Sequence, residues 1–149
     1  RQNRRTRKED SMKLEIENRK LAGVIGVLDK LELKGLQSIH RTRLAKQLIE
    51  KLQQVADEEK KLKDSYAKKD DDGNPIVKEG KYQFDDGELE KLETDLKDFY
   101  EEKTVIESGD NPSYLKSVKK SLEESEIEWQ GKEAYDYAYL YESFKGDDE

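Results

Sequence analysis

Asp70, Asp72 and Asn74 stand at the spacing with which a calcium loop opens, a side-chain oxygen on every second residue. Such a loop then needs Gly at its sixth position and a bidentate Glu at its twelfth. Pro75 and Lys81 stand there instead, so the segment reads as a solvated turn. His40 is the single imidazole of the chain. To act as a general base it needs a nucleophile or carboxylate partner, and no sequence pattern supplies one; it reads as an ordinary polar or half-buried histidine. The chain has no Cys, which removes disulfides and thiolate metal sites. No phosphate-cradling glycine loop, GxSxG or HExxH occurs. No catalytic residue, no metal ligand set and no cofactor are expected, and the chain reads as non-enzymatic.

Two groups of residues suit recognition instead. Lys34, Arg41, Arg43 and Lys46 form a small basic island in an acidic chain. Cations in the first turns of a helix oppose its dipole and bring no stability through it. They read either as a contact for an anion or acidic partner, or as partners for the chain's own carboxylates. The second group lies in residues 121–149, which carry ten acidic and two basic side chains. Trp129, Tyr135 and Tyr139 interleave with those carboxylates. This stretch reads as a solvated acidic tail whose aromatics pack on a hairpin, or as a surface for a basic partner, including one deceived by nucleic-acid-like charge.

The net charge of −7 disfavours general nucleic-acid binding. No apolar run approaches the roughly 18 residues that span a bilayer, so a membrane is not expected as a partner. Leu, Ile, Val and Phe make up about a fifth of the chain, close to the level at which a highly charged sequence stays disordered. Periodicity decides for a folded chain, because these residues fall in stripes. Residues 1–11 differ from the rest, with five basic and two acidic side chains. Lys8-Glu9-Asp10 can be encoded by a bacterial ribosome-binding sequence just before the codon of Met12. The segment reads as translated leader, or else as a flexible basic arm for RNA or phosphate.

The elements that position these groups follow from spacing. Met12, Leu14 and Ile16 alternate with charged residues, the pattern of a half-buried strand. Asn18 is placed to cap a helix carrying Leu21, Val24, Ile25, Leu28 and Leu31. A long helix is predicted over about 38–69, roughly 45–50 Å. Its stripe runs through Leu36, Ile39, Leu44, Leu48, Leu52, Val55, Leu62 and Tyr66. Turn residues 70–75 stop it. Ile76–Lys78 and Lys81–Phe84 flank Glu79-Gly80 as a β-hairpin. Asp85 and Glu88 stand at capping-box spacing before a helix over about 86–103. That helix carries a second stripe through Leu89, Leu92, Leu96, Phe99 and Ile106. Residues 104–106 also suit an extended segment pairing with the first strand. Asn111-Pro112 signals another helix start. Residues 132–144 fit either a strand, by alternation of Tyr135, Tyr137, Tyr139 and Tyr141, or a helix, by Tyr137, Leu140, Tyr141 and Phe144; Ala134 and Ala138 favour the helix.

From residue 12 to 146 the chain resembles a family of small uncharacterised proteins of phages of streptococci, lactococci and related Gram-positive bacteria. The segments that carry the resemblance are MKLEIENRKL, LKGLQSIHRTRL, KKDDDGNPIVKEGKYQF and GKEAYDYAYLYESF. Residues 1–11 have no counterpart in it. The resemblance implies a phage accessory protein and supplies no catalytic residues.

The expected fold is mainly α with a minor α+β part: a long antiparallel helical hairpin, a small β-hairpin at its tip and an N-terminal strand–helix unit. Residues 12–149 are expected to form one domain with an acidic C-terminal tail. The expected function is non-enzymatic protein–protein interaction, as a virion or tail component or an assembly factor. The partner would be a phage structural protein or a host protein, with a homodimer as a further option, in the infected host's cytoplasm or in the virion. Two alternatives accompany it: an acidic inhibitor of a host nucleic-acid-binding enzyme, and nucleic-acid binding through residues 1–11.

Overall fold

The computed structural model describes residues 12–111 and 113–146; the basic segment 1–11 and Pro112 lie outside it. The protein is mainly helical, with two small antiparallel sheets. Contacts divide it into two compact units. One comprises the described residues up to Leu52 together with those from Lys103 onward; the other is Gln53–Glu102.

The first unit is built on strand β1, Met12–Glu17. Its alternation sends Leu14 and Ile16 inward, where both are fully buried. β1 is central in its sheet. It pairs antiparallel with β4, Lys103–Glu107, and with β5, Phe144–Gly146. Opposite charges face each other along the ladder, Lys13 against Glu107 and Glu17 against Lys103. A 3₁₀ turn, Asn18–Lys20, leads into helix α1, Leu21–Lys30. The cap positions of the turn and of α1 are Glu17 and Lys20, without a side-chain cap bond at either. Asn18 is buried, and its Oδ1 accepts from Thr104 Oγ1 at 3.4 Å. The capping role expected for Asn18 is thus not taken at either position.

Helix α2, Gly35–Tyr66, contributes its residues to Leu52 to this unit. Leu44 and Leu48 are fully buried, but Leu36 and Ile39, assigned to the same stripe, are 64% and 55% exposed. At about 100° per residue, Leu36 and Ile39 point well away from Leu44 and Leu48, so the single stripe read from the sequence is two faces. Helix α4, Tyr114–Glu124, packs on β1, and helix α5, Lys132–Glu142, packs on α1. Ser113, not Asn111, is the cap residue of α4, with no side-chain cap bond; Tyr114 N donates to the Asn111 carbonyl. The acidic stretch expected as a tail is folded through Gly146: it holds the end of α4, α5 and β5. Leu115, Val118, Leu122, Leu140 and Phe144 join the core from these elements.

In the second unit α2 ends at Tyr66. Strands β2, Val77–Lys78, and β3, Lys81–Tyr82, form a hairpin across Glu79 and Gly80. Both turn residues have positive φ, 54° and 76°, as a type I′ turn requires. The chain before the hairpin joins it: Ile76 N donates to Lys68 O, and Lys68 N to Gln83 O. Helix α3, Glu88–Glu101, follows. Its cap position is Gly87 at φ 83°, with no side-chain cap bond, so the capping box expected from Asp85 and Glu88 does not form. The left-handed Gly87 intervenes, and Glu88 N bonds the backbone carbonyl of Asp85 instead. Tyr100 Oη donates to Glu59, Tyr66 Oη to Asp95, and Tyr82 Oη to Asp64 at 2.6 Å. The apolar core here is thin. Val55, Ala67 and Leu92 are buried, Leu96 and Phe99 are half-buried, and Leu89 is exposed. Ile106 of the second stripe belongs to β4, not to α3, and is buried in the first unit.

Candidate interaction surface

The four cations of the basic island have different surroundings. Arg41 is half-buried, and its Nη1 donates to the carbonyls of Leu28 and Leu31 at 2.9 and 2.7 Å. These carbonyls lie at the C-terminus of α1, where a cation also meets the negative end of the dipole; that of Leu28 also accepts from Leu31 N. Arg41 therefore ties α1 to α2 and is not available to a partner. Lys34, Arg43 and Lys46 are exposed, and among the described residues no carboxylate pairs with them.

Arg43 is held in place by an aromatic group beneath it. Its guanidinium lies over the Tyr114 ring, 5.3 Å from the centroid. Tyr114 is buried, and its hydroxyl accepts from Gln47 Nε2 at 2.8 Å. The His40 ring meets Tyr114 edge-on at 6.1 Å. His40 is itself buried, more so than expected, and its Nδ1 has no hydrogen-bond partner among the described residues. Burial first, and the Arg43 charge second, hold the imidazole below its usual pKa. Burial pushes the Tyr114 hydroxyl up, against the opposing effects of Gln47 and Arg43. The buried imidazole and phenol pack together beneath Arg43, and among the described residues no carboxylate bonds the imidazole.

On the outer side of the same part of α2, Leu36, Ile39 and Ile49 are exposed, Ile49 by 39%. Leu36, Ile39, Arg43 and Lys46 fall within an arc of about 80°, and Ile49 lies about 60° beyond its edge. The exposed carboxylate of Glu50 lies within the arc. Two large apolar groups, then two cations, then a third apolar group thus follow one another over about four turns. Periodicity alone places Leu36 and Ile39 in the core stripe, whereas both are exposed beside the cations.

The C-terminal aromatics are mostly committed internally. Trp129 stacks on Tyr137 at 5.0 Å, with the Lys30 ammonium 5.5 Å from the indole. Tyr137 Oη donates to the carbonyl of Leu122 near the end of α4, which also accepts from Ser125 N. Tyr139 Oη accepts from the backbone N–H of Glu17 at 2.9 Å, and Lys20 lies over its ring. Tyr135 is 77% exposed. Of the three aromatic candidates only Tyr135 is turned outward.

Asp136 was not anticipated. It is buried on α5, and it receives Lys132 Nζ at 2.7 Å and Lys20 Nζ at 3.1 Å. Burial pushes its carboxyl up, but the two ammonium groups outweigh that and hold it below the usual range. Gly23 of α1 faces it. A Cβ there would sit 2.6 Å from Cγ and 2.8 Å from Oδ1 of Asp136, and closer still to Oδ2. The i, i+4 spacing of Lys132 and Asp136 was the available sequence signal.

A cleft of about 500 Å³ lies between the chain after α1 and the end of α4. Leu31, Leu33 and Ile127 form its apolar part, and Glu32, Glu124 and Glu126 its acidic part. Gln37 Nε2 donates to Glu124 across it at 3.2 Å. Among the described residues no group of three or more His, Asp or Glu is arranged to hold a metal. Asp70 Oδ1 accepts from the backbone amides of Asp72 and Asn74, so the carboxylate that opened the calcium-like pattern closes its own turn. No described helix is long and apolar enough to cross a membrane.

The model of a family described as a protein of unknown function, DUF1617, matches residues 12–148. The chain belongs to that family. No curated protein and no solved structure matches it. Family membership covers all the elements described above, including both the basic face of α2 and the Asp136 cluster.

Proposed function

We propose that the protein is a non-enzymatic phage accessory protein that works by binding another protein, as a virion or tail component or an assembly factor, in the infected host's cytoplasm or in the particle. The observation that carries the reading is the exposed face of α2, where Leu36, Ile39 and Ile49 surround Arg43 and Lys46. Exposed large apolar side chains beside cations on one rigid helix suit recognition. They serve no internal packing, because Leu44 and Leu48 on another face already do that. The chemistry available elsewhere is consistent with a binding protein: the buried ionisable groups, His40 and Asp136, are held in packing roles.

An antiparallel helical hairpin formed by α2 and α3 is part of the proposal. The bonds Tyr100–Glu59 and Tyr66–Asp95 support it, since their order reverses along the two helices. A second reading, charge mimicry toward a basic host enzyme, draws on the exposed Glu124, Glu126, Glu128 and Glu133 with Tyr135 beside them. The arm formed by residues 1–11 lies outside the described residues.

Affinity purification of the tagged full chain from infected cells, with mass spectrometry of bound proteins and of purified particles, tests the reading. A specific protein partner lost on the double substitution Leu36→Ser, Ile39→Ser is the expected outcome. Capture that is indifferent to those changes and lost only at high salt favours mimicry. A protein that enters no particle and retains no partner sinks both.

A further inference from the structure

We propose that the exposed face of α2 takes an acidic amphipathic helix of its partner, one with carboxylates flanking a row of Leu- or Ile-sized side chains. This rests on the binding-module reading above and names the chemistry of the occupant. Three observations point to it. First, the chain has 36 acidic and 29 basic residues, yet Lys34, Arg43 and Lys46 have no carboxylate partner among the described residues. Second, Arg43 is pre-oriented. Its guanidinium rests on the buried Tyr114 ring, which Gln47 fixes through its hydroxyl, and it makes no hydrogen bond of its own among the described residues. A planar fork held with free donors matches a carboxylate in two-point geometry, and less side-chain entropy is lost on binding. Third, the cations lie among Leu36, Ile39 and Ile49, so a partner must offer apolar groups at the same time. A helical face with cations flanked by large apolar groups is met by another amphipathic helix.

Other occupants fit less well. A two-fold pairing of this face with a second copy sets Arg43 and Lys46 against the same cations. A nucleic-acid backbone answers the cations but leaves three large apolar groups unmatched. The single carboxylate in the arc, Glu50, is outnumbered by the cations around it.

The test uses the full chain and three synthetic helical peptides of about 18 residues (long enough for four turns or more). They share one Leu/Ile row and differ only in flanking residues: Glu, Gln or Lys. Binding is followed by fluorescence anisotropy, and its site by amide chemical-shift changes. The Glu peptide should bind at least about tenfold more tightly than the Gln peptide, the Lys peptide should bind weakest, and shifts should centre on residues 36–50. The double variant Arg43→Glu, Lys46→Glu should reverse the order, and Arg43→Gln, Lys46→Gln should flatten it; helicity by circular dichroism checks that each is folded. Equal affinity for the three peptides, tighter binding of the Lys peptide, shifts elsewhere, or self-association through this face overturns the inference. None of these outcomes touches the binding-module reading, which stands or falls on partner capture from infected cells.

Discussion

Gly23 and Asp136 are one feature seen from two helices. The carboxylate occupies the space that a side chain at position 23 would fill, and two lysines hold it there. Gly23→Ala should destabilise the protein by roughly 1–3 kcal/mol, the usual cost of overpacking. The loss should shrink when Asp136→Ala is already present, giving a clear coupling energy in a double-mutant cycle measured by urea denaturation. Additive losses would show that the two residues do not share that space. His40 gives a pH signature. Its folded-state pKa lies below 6.5, so the unfolded chain binds the proton first. Its contribution is complete above about pH 6.5 and is lost as pH falls from there through the folded value. Denaturation midpoints measured from about pH 8 to pH 5 should fall in that window, and less so in His40→Gln. Asp136 is shifted the same way from the ordinary carboxylate range, so its loss comes only in much stronger acid. Beyond the i, i+4 spacing of Lys132 and Asp136, neither role was legible beforehand. A lone histidine and one Asp among many carry no period, and only packing from a distant helix makes them special.

Element type proved easier to read than element surface. The first strand, the long helix, the β-hairpin and the pairing of residues 104–106 with the first strand followed from period and turn chemistry; the helix expected over residues 132–144 ends at Glu142, and Phe144 of its expected face lies in β5. Caps did not, because Gly87 and Ser113 displaced the residues that matched the motifs. β5 also escaped notice: three residues held by one distant strand show no alternation. The larger misreading was the stripe on α2, where a loose heptad match joined residues that diverge around the helix. Leu44→Ala and Leu48→Ala should each cost roughly 2–5 kcal/mol. Leu36→Ser and Ile39→Ser should each stay within about 0.5 kcal/mol, as surface changes do. Chemical denaturation of the four variants checks this, and comparable losses at all four would mean that the outer face is covered within the protein itself.

The two units differ in what holds them. The first has Leu, Ile, Val and Phe side chains buried from three strands and four helices. The second has Val55, Ala67 and Leu92, assisted by tyrosine–carboxylate bonds. Native-state hydrogen exchange should therefore find amides of residues 53–102 opening at lower free energy than those of β1, α1 and α4. Uniform protection would refute the difference. Tyr100 adds a marker there, its hydroxyl pushed up to about 12 by burial and by Glu59. The strand order β4–β1–β5 carries one more implication. Met12 must find Gly146, and Lys13 must find Glu107. During synthesis on the ribosome, β1 can pair with β4 only once residues 103–107 have been made, and with β5 only once residues 144–146 have. The locally connected middle segment can gather its own contacts meanwhile. Loss of residues 144–146 would then remove more than an edge: it would leave β1 without one of its two neighbours and expose a sticky margin to other nascent chains.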